Sequence, residues 1–142
     1  MITGDELVTE LAKCVKSEME KSVEEFATGA PVFKYRKPNK HSGEYIVVNH
    51  LPITYGKFLN DLNYLNVNIH VPETKSGAIP QLRLNELRKV LGRLIPYKEG
   101  TENGAELNLN GHLYMIESVS QPLDDDDHTW FYNFRVNVNF IN

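Results

Sequence analysis

The run Asp124-Asp125-Asp126-Asp127-His128 is where this sequence concentrates groups able to do chemistry, because carboxylates beside an imidazole are ligands for a divalent cation. The spacing argues the other way. A calcium loop alternates its ligands around a glycine turn, whereas adjacent aspartates on an extended chain point in alternate directions. Turns favour aspartate in any case. The expected reading is a turn between two strands, with a small metal- or ligand-binding site at Asp124 to His128 kept as the alternative.

The other groups that could do chemistry are scattered. His41, His50, His70 and His112 form no pair at metal-ligand spacing. His50 and His70 could meet only if their strands pair. Neither a glycine-rich phosphate loop nor a Gly-x-Ser-x-Gly elbow is present. Cys14, the single cysteine, falls within a helical pattern with no histidine near it in sequence, which fits a packed thiol better than a nucleophile. The residues therefore assign no catalytic group, no cofactor and no metal ligand, and the chain reads as a non-enzyme.

Arg36, Lys37, Lys40 and His41, with Tyr35 beside them, make the strongest local electrostatic feature. Such a patch could touch nucleic acid or an acidic partner. The formal net charge of −4 provides no global basic field, so a solvated hairpin loop is the expectation and no sequence-specific nucleic acid is assigned.

The elements that position these groups are legible from periodicity. Thr3 can cap a helix, with Glu6 completing a capping box, and Val8, Leu11, Ala12, Val15, Met19, Val23 and Phe26 recur at helical spacing. This predicts a helix over 3–28 with Glu10, Lys13, Glu20, Lys21 and Glu24 on the wet side. A short apolar stretch, Val32 to Tyr35, precedes the basic loop at 36–43. Tyr45-Ile46-Val47-Val48 is apolar on both strand faces, as in a strand covered on both sides. A second helix is expected over 79–95. Leu84, Leu87, Val90, Leu91, Leu94 and Ile95 form its apolar face, and Arg83, Arg88, Lys89 and Arg93 its basic one. Gly92 inside it predicts a close approach to another backbone. Asn110-Gly111 between apolar runs is a strong hairpin signal, because both turn residues need positive φ. It opens a strand meander over 105–141 that turns through Gln121 to Asp127.

Two strands are written alike, Leu65-Asn66-Val67-Asn68-Ile69-His70-Val71 and Phe134-Arg135-Val136-Asn137-Val138-Asn139-Phe140. Apolar residues take one face and asparagine most of the other. Strands are depleted in asparagine, so a face of uncharged hydrogen-bonding groups suits a surface that meets another surface, or else one that is simply solvated. The second helix lies between these strands in sequence and should cross between them. The whole predicts a single α+β domain over 1–142. It has two layers, with a mixed, mostly antiparallel sheet of about four to six strands and two amphipathic helices.

With 142 residues, 41% apolar and 24% charged, the composition is that of an ordinary globular domain. No apolar run near the start has the length of a signal peptide, and none approaches a membrane span. A lone cysteine agrees with a reducing compartment. These features predict a soluble protein that acts where it is made, with no membrane partner.

The layout resembles the tail-terminator (tail-completion, head-tail joining) proteins of long-tailed bacteriophages and related prophages. The resembling segments are EYIVVNHLP at 44–52, NVNIHVP at 66–72, the helix at 82–96 and HTWFYNFRVNVNF at 128–140, after an opening helix and a long loop. The tetra-aspartate turn and the length of the loop after Tyr35 depart from the better-known members. The resemblance implies a homo-oligomeric ring, usually a hexamer, that caps the tail tube and meets the head connector. Its setting would be the bacterial cytoplasm during assembly and then the virion tail. On that reading Asn66, Asn68, Arg135, Asn137 and Asn139 make subunit contacts, and Arg36, Lys37 and Lys40 form a partner-facing loop. A monomeric adaptor using the exposed face of the second helix is the remaining alternative.

Overall fold

Strands that alternate apolar and polar residues need a second layer over the apolar face, and here two amphipathic helices supply it. A computed structural model describes residues 3–22, 29–51, 63–97, 107–125 and 128–140. In chain order these form α1 (Gly4–Lys21), β1 (Val32–Lys34), β2 (Tyr45–His50), β3 (Asn63–Pro72), α2 (Gln81–Leu94), β4 (Leu107–Leu109), β5 (His112–Val119), β6 (Leu123–Asp125) and β7 (Thr129–Phe140). The fold is α+β. Its mixed sheet runs in the order β1-β2-β3-β7-β5-β4, with β6 paired to the start of β7.

One core fills the space between the layers. Leu7, Val8, Leu11, Val15 and Met19 of α1 and Leu84, Leu87, Val90 and Leu91 of α2 bury against the sheet. The sheet answers with Ile46 and Val48, with Leu65, Val67, Ile69 and Val71, and with Phe134, Val136 and Val138. Those of β3 and β7 are residues that the period-two alternation grouped on one face. Among the described residues no helix is long and apolar enough to cross a membrane.

The Thr3 hydroxyl accepts from the Glu6 N–H at 3.1 Å, capping α1 as its sequence predicts. The described helix runs from Gly4 to Lys21, and residues 23–28 of the expected span lie outside the described residues. At Ser22 the N–H and the hydroxyl both donate to the Glu18 carbonyl, at 3.1 and 3.0 Å. Val23 and Phe26, expected on the same stripe, lie outside the described residues. Asn110 and Gly111 take φ values of 54° and 85°, the left-handed pair that a tight hairpin requires. Gly92 is buried within α2.

Three features depart from expectation. The described strands number seven, because Leu123–Asp125 extends as β6 along β7 where a turn was expected. The asparagine strands β3 and β7 are direct antiparallel neighbours, Asn66 opposite Arg135 and Asn68 opposite Asn133, with α2 lying over both. Finally, β1 and β2 run parallel, Val32 opposite Ile46 and Lys34 opposite Val48. Parallel neighbours cannot be joined by a hairpin. The basic segment at 36–43 is therefore a return loop that must travel back along the strand, and it does so across the polar face of the sheet.

Gly4 opens α1 hard against the end of β2. A Cβ at this position would lie 2.7 Å from the His50 ring, whose Nδ1 is itself 2.7 Å from the Leu51 carbonyl. Gly4→Ala should therefore destabilise the fold by about 1–2 kcal/mol, even though alanine is the better helix former. A lowered thermal midpoint would be the readout; an unchanged or raised one would show that His50 swings away freely.

Candidate functional site

Both helices occupy the inner face, so the outer face of the sheet is where polar side chains collect. Strand parity brings Asn66 and Asn68 of β3 and Arg135, Asn137 and Asn139 of β7 to this one face. Asn49 of β2 and Asn133 of β7 join them. These two were not singled out from the sequence, although the same alternation reaches both.

The amides form a directed ladder across three strands. Asn133 Nδ2 donates to Asn66 Oδ1 at 3.2 Å and to Asn68 Oδ1 at 2.6 Å, and Asn66 Nδ2 donates to Asn49 Oδ1 at 2.9 Å. On the far side Asn139 Nδ2 donates to Asn137 Oδ1 at 3.0 Å, and Asn137 Nδ2 to Glu117 Oε2 at 3.1 Å. Glu117 reaches this position because a bulge between Ile116 and Ser118 shifts the register of β5 against β7. The five residues expected at a subunit contact are not equally available. Asn66, Asn68, Arg135 and Asn139 are half-buried, whereas Asn137 is 1% exposed within the single chain. The Arg135 guanidinium sits 6.0 Å from the centre of the Tyr64 ring.

At the other end of the same face three rings stack in register. His70 is the cross-strand partner of both Tyr45 and Phe131. The Tyr45–His70 centroids lie 4.4 Å apart at 7°, and those of His70 and Phe131 4.7 Å apart at 18°. His70 Nδ1 lies 3.4 Å from Asp125 Oδ2 and 3.5 Å from Thr129 Oγ1. The return loop closes over this row. His41 meets Phe33 and Tyr45 edge-on, and the Lys37 ammonium lies 5.8 Å from the centre of the Tyr45 ring. This cover buries Tyr45 and Val47 on the outer face while Ile46 and Val48 fill the core, which is why the strand reads as apolar on both sides.

Between loop and sheet lies an open cleft of about 330 Å³, lined in part by Arg36, Lys37, Asn39, Asn49, Asn68 and His70. The two groups of residues expected at separate contacts thus meet: Arg36 and Lys37 share one cleft with Asn68. Lys40 is exposed further along the loop.

The remaining candidates resolve individually. His50 and His70 do fall on paired strands, but His50 opposes Leu65 and His70 opposes Tyr45, at opposite ends, so they do not meet. In the acidic run Asp125 turns to His70, while the His128 ring, 84% exposed, lies 3.4 Å from Glu73. Asp126 and Asp127 lie outside the described residues. Among the described residues no group of three or more His, Cys, Asp or Glu side chains is placed to hold a metal ion. Burial, with the Glu18 carboxylate nearby, pushes the Cys14 thiol above its ordinary range, away from the thiolate that a nucleophile needs. On α2 the basic face is partly engaged: Arg83 grips Glu44 through Nε at 2.7 Å and Glu86 at 2.9 Å, and Arg88 lies over Tyr132. Leu82 in its first turn is 83% exposed.

Glu10, expected on the wet side of α1, is instead held by the hairpin. Its carboxylate accepts from the Tyr114 hydroxyl at 2.6 Å and from Asn110 Nδ2 at 2.9 Å, and His112 Nδ1 lies 2.9 Å away. Burial alone would raise this carboxyl, but the three partners outweigh it and hold it below the ordinary value. Burial and the neighbouring Glu10 push the Tyr114 phenol far up, so it stays a donor.

No family model matches the chain, and no curated protein matches it. Among solved structures nine chains match. One of them superposes with a TM-score of 0.61 over 100% of this chain and 98% of its own length, at 12% sequence identity. A likeness at that identity is a likeness of fold alone.

Proposed function

We propose that this chain is a structural subunit that works by assembly: a ring-forming protein resembling the tail terminators of long-tailed phages, capping a tail tube and presenting its other side to the head connector. The observation that supports this most is the outer face of the sheet. Both helices pack on the inner face, and β3 and β7 present half-buried amides and one arginine outward instead of the dense charge of an ordinary wet face. Amides that both donate and accept can meet a second copy in either sense. The contact residues in this reading are Asn66, Asn68, Arg135 and Asn139, with Asn137 supporting them from beneath. Arg36, Lys37 and Lys40 face the neighbouring virion protein.

Concentrated protein should show a native mass of a closed oligomer, and protein added to growing tails should cap one end and stop extension in electron micrographs. Arg135→Glu should weaken the ring without lowering the thermal midpoint. Tails that keep growing, uncapped, at saturating protein would overturn the reading.

A further inference from the structure

The direction of the amide ladder leaves the cleft lined by donors. Asn49 and Asn68 both turn their side-chain oxygens into the ladder, Asn49 accepting from Asn66 and Asn68 from Asn133. Their NH2 groups are what remains for the cleft, and neither has a side-chain acceptor among the described residues. Asn49 stands opposite Asn66, so Asn68 is its diagonal neighbour across β2 and β3. Such pairs stand roughly 7–8 Å apart at Cα, close enough for two amides to converge on one anion. Arg36 and Lys37 add two cations from the loop above, and among the described residues no Asp or Glu lines the cleft. Arg36 is exposed and has no ion pair among the described residues. On a chain of net charge −4 this is a local concentration of hydrogen-bond donors and positive charge.

We propose that this cleft binds a carboxylate presented by an acidic segment of a protein partner, with the Asn49 and Asn68 amides donating to its oxygens and Arg36 and Lys37 balancing its charge. A peptide fits better than a nucleic acid because the rings that line the cleft are engaged. Tyr45 and His70 stack on one another, with Phe131 beyond, and Lys37 lies over Tyr45, while Tyr35 meets the His50 ring edge-on and donates its hydroxyl to Asp5. Two neutral donors and two cations suit one or two carboxylates. The site adds to the assembly reading without resting on it, because capture of a peptide is measured on dilute protein and ring formation on concentrated protein.

The test uses the full chain and a fluorescein-labelled hexaglutamate peptide, followed by anisotropy. Hexaglutamine and a single-stranded oligothymidylate serve as competing probes. Hexaglutamate should bind, more weakly as salt rises, and hexaglutamine should not. Arg36→Ala should weaken binding roughly tenfold, the usual worth of a charge-assisted bond. Asn68→Asp is the sharper variant: its carboxylate still accepts from Asn133, so the ladder survives, but the donor facing the cleft becomes an anion. It should abolish capture at an unchanged thermal midpoint, while Lys16→Ala on the exposed side of α1 should change nothing. Equal binding by Asn68→Asp and the parent, equal binding of hexaglutamine, tighter binding of the oligothymidylate, or no binding of hexaglutamate would each overturn the proposal.

Discussion

His70→Ala is expected to lower the stability of the fold by about 3 kcal/mol, the largest single effect on the outer face. The ring is 7% exposed and lies flat between Tyr45 and Phe131 at centroid distances of 4.4 and 4.7 Å. Each stacked pair is worth about 0.5–1.5 kcal/mol beyond the area it buries, and alanine forfeits both while leaving a gap between two large rings. The loss of the Asp125 and Thr129 contacts, at 3.4 and 3.5 Å, adds less because these are long. His70→Phe separates the contributions. It preserves the stack and removes only the polar contacts, so it should cost about 1 kcal/mol or less. Urea unfolding of both variants is the measurement; equal losses would show that the polar contacts, not the stacking, hold the row together.

Glu10→Ala is expected to cost about 2–3 kcal/mol, because one carboxylate ties α1 to the β4–β5 hairpin. The Tyr114 hydroxyl that it accepts belongs to a fully buried side chain, and a buried donor left without an acceptor costs about 1–3 kcal/mol. Glu10→Gln, which can still accept from Tyr114, should lose about half as much. The effect has a pH signature. The Glu10 carboxyl is lowered from 4.5 in the folded protein, so the unfolded chain takes up its proton first as pH falls. The tether's contribution is complete above that ordinary value and disappears as pH drops through the lower folded one. Unfolding midpoints measured on both sides of pH 4.5 should therefore show a smaller acid loss for Glu10→Gln than for the parent. Parallel curves would mean that Glu10 is not held as described.

What the sequence disclosed and what it hid differ for physical reasons. Period-two alternation in β3 and β7 assigned the inner and outer faces correctly, because parity is a purely local property of an extended chain. The Asn110-Gly111 turn was equally local. Hidden were relations between distant residues. Nothing in residues 32–50 distinguishes a parallel β1 and β2 from a hairpin, so the loop's path over Tyr45 was invisible. Glu10 looked like a wet-side residue because its partners lie more than a hundred positions later, at 112 and 114. The stack of Tyr45, His70 and Phe131 depends on register between three strands, which no single stretch of sequence encodes. The cleft follows from both: it exists only where the return loop and the ladder overlap.

The order of strands in the sheet has a consequence for synthesis. β3 sits beside β7, the last of the described strands in chain order, so the middle of the sheet stays open while the residues between them are translated. Throughout that interval β3 would offer an unpaired edge and a row of aliphatic side chains, the combination that invites aggregation or a chaperone. The middle of the sheet cannot close before the strand from Thr129 to Phe140 arrives.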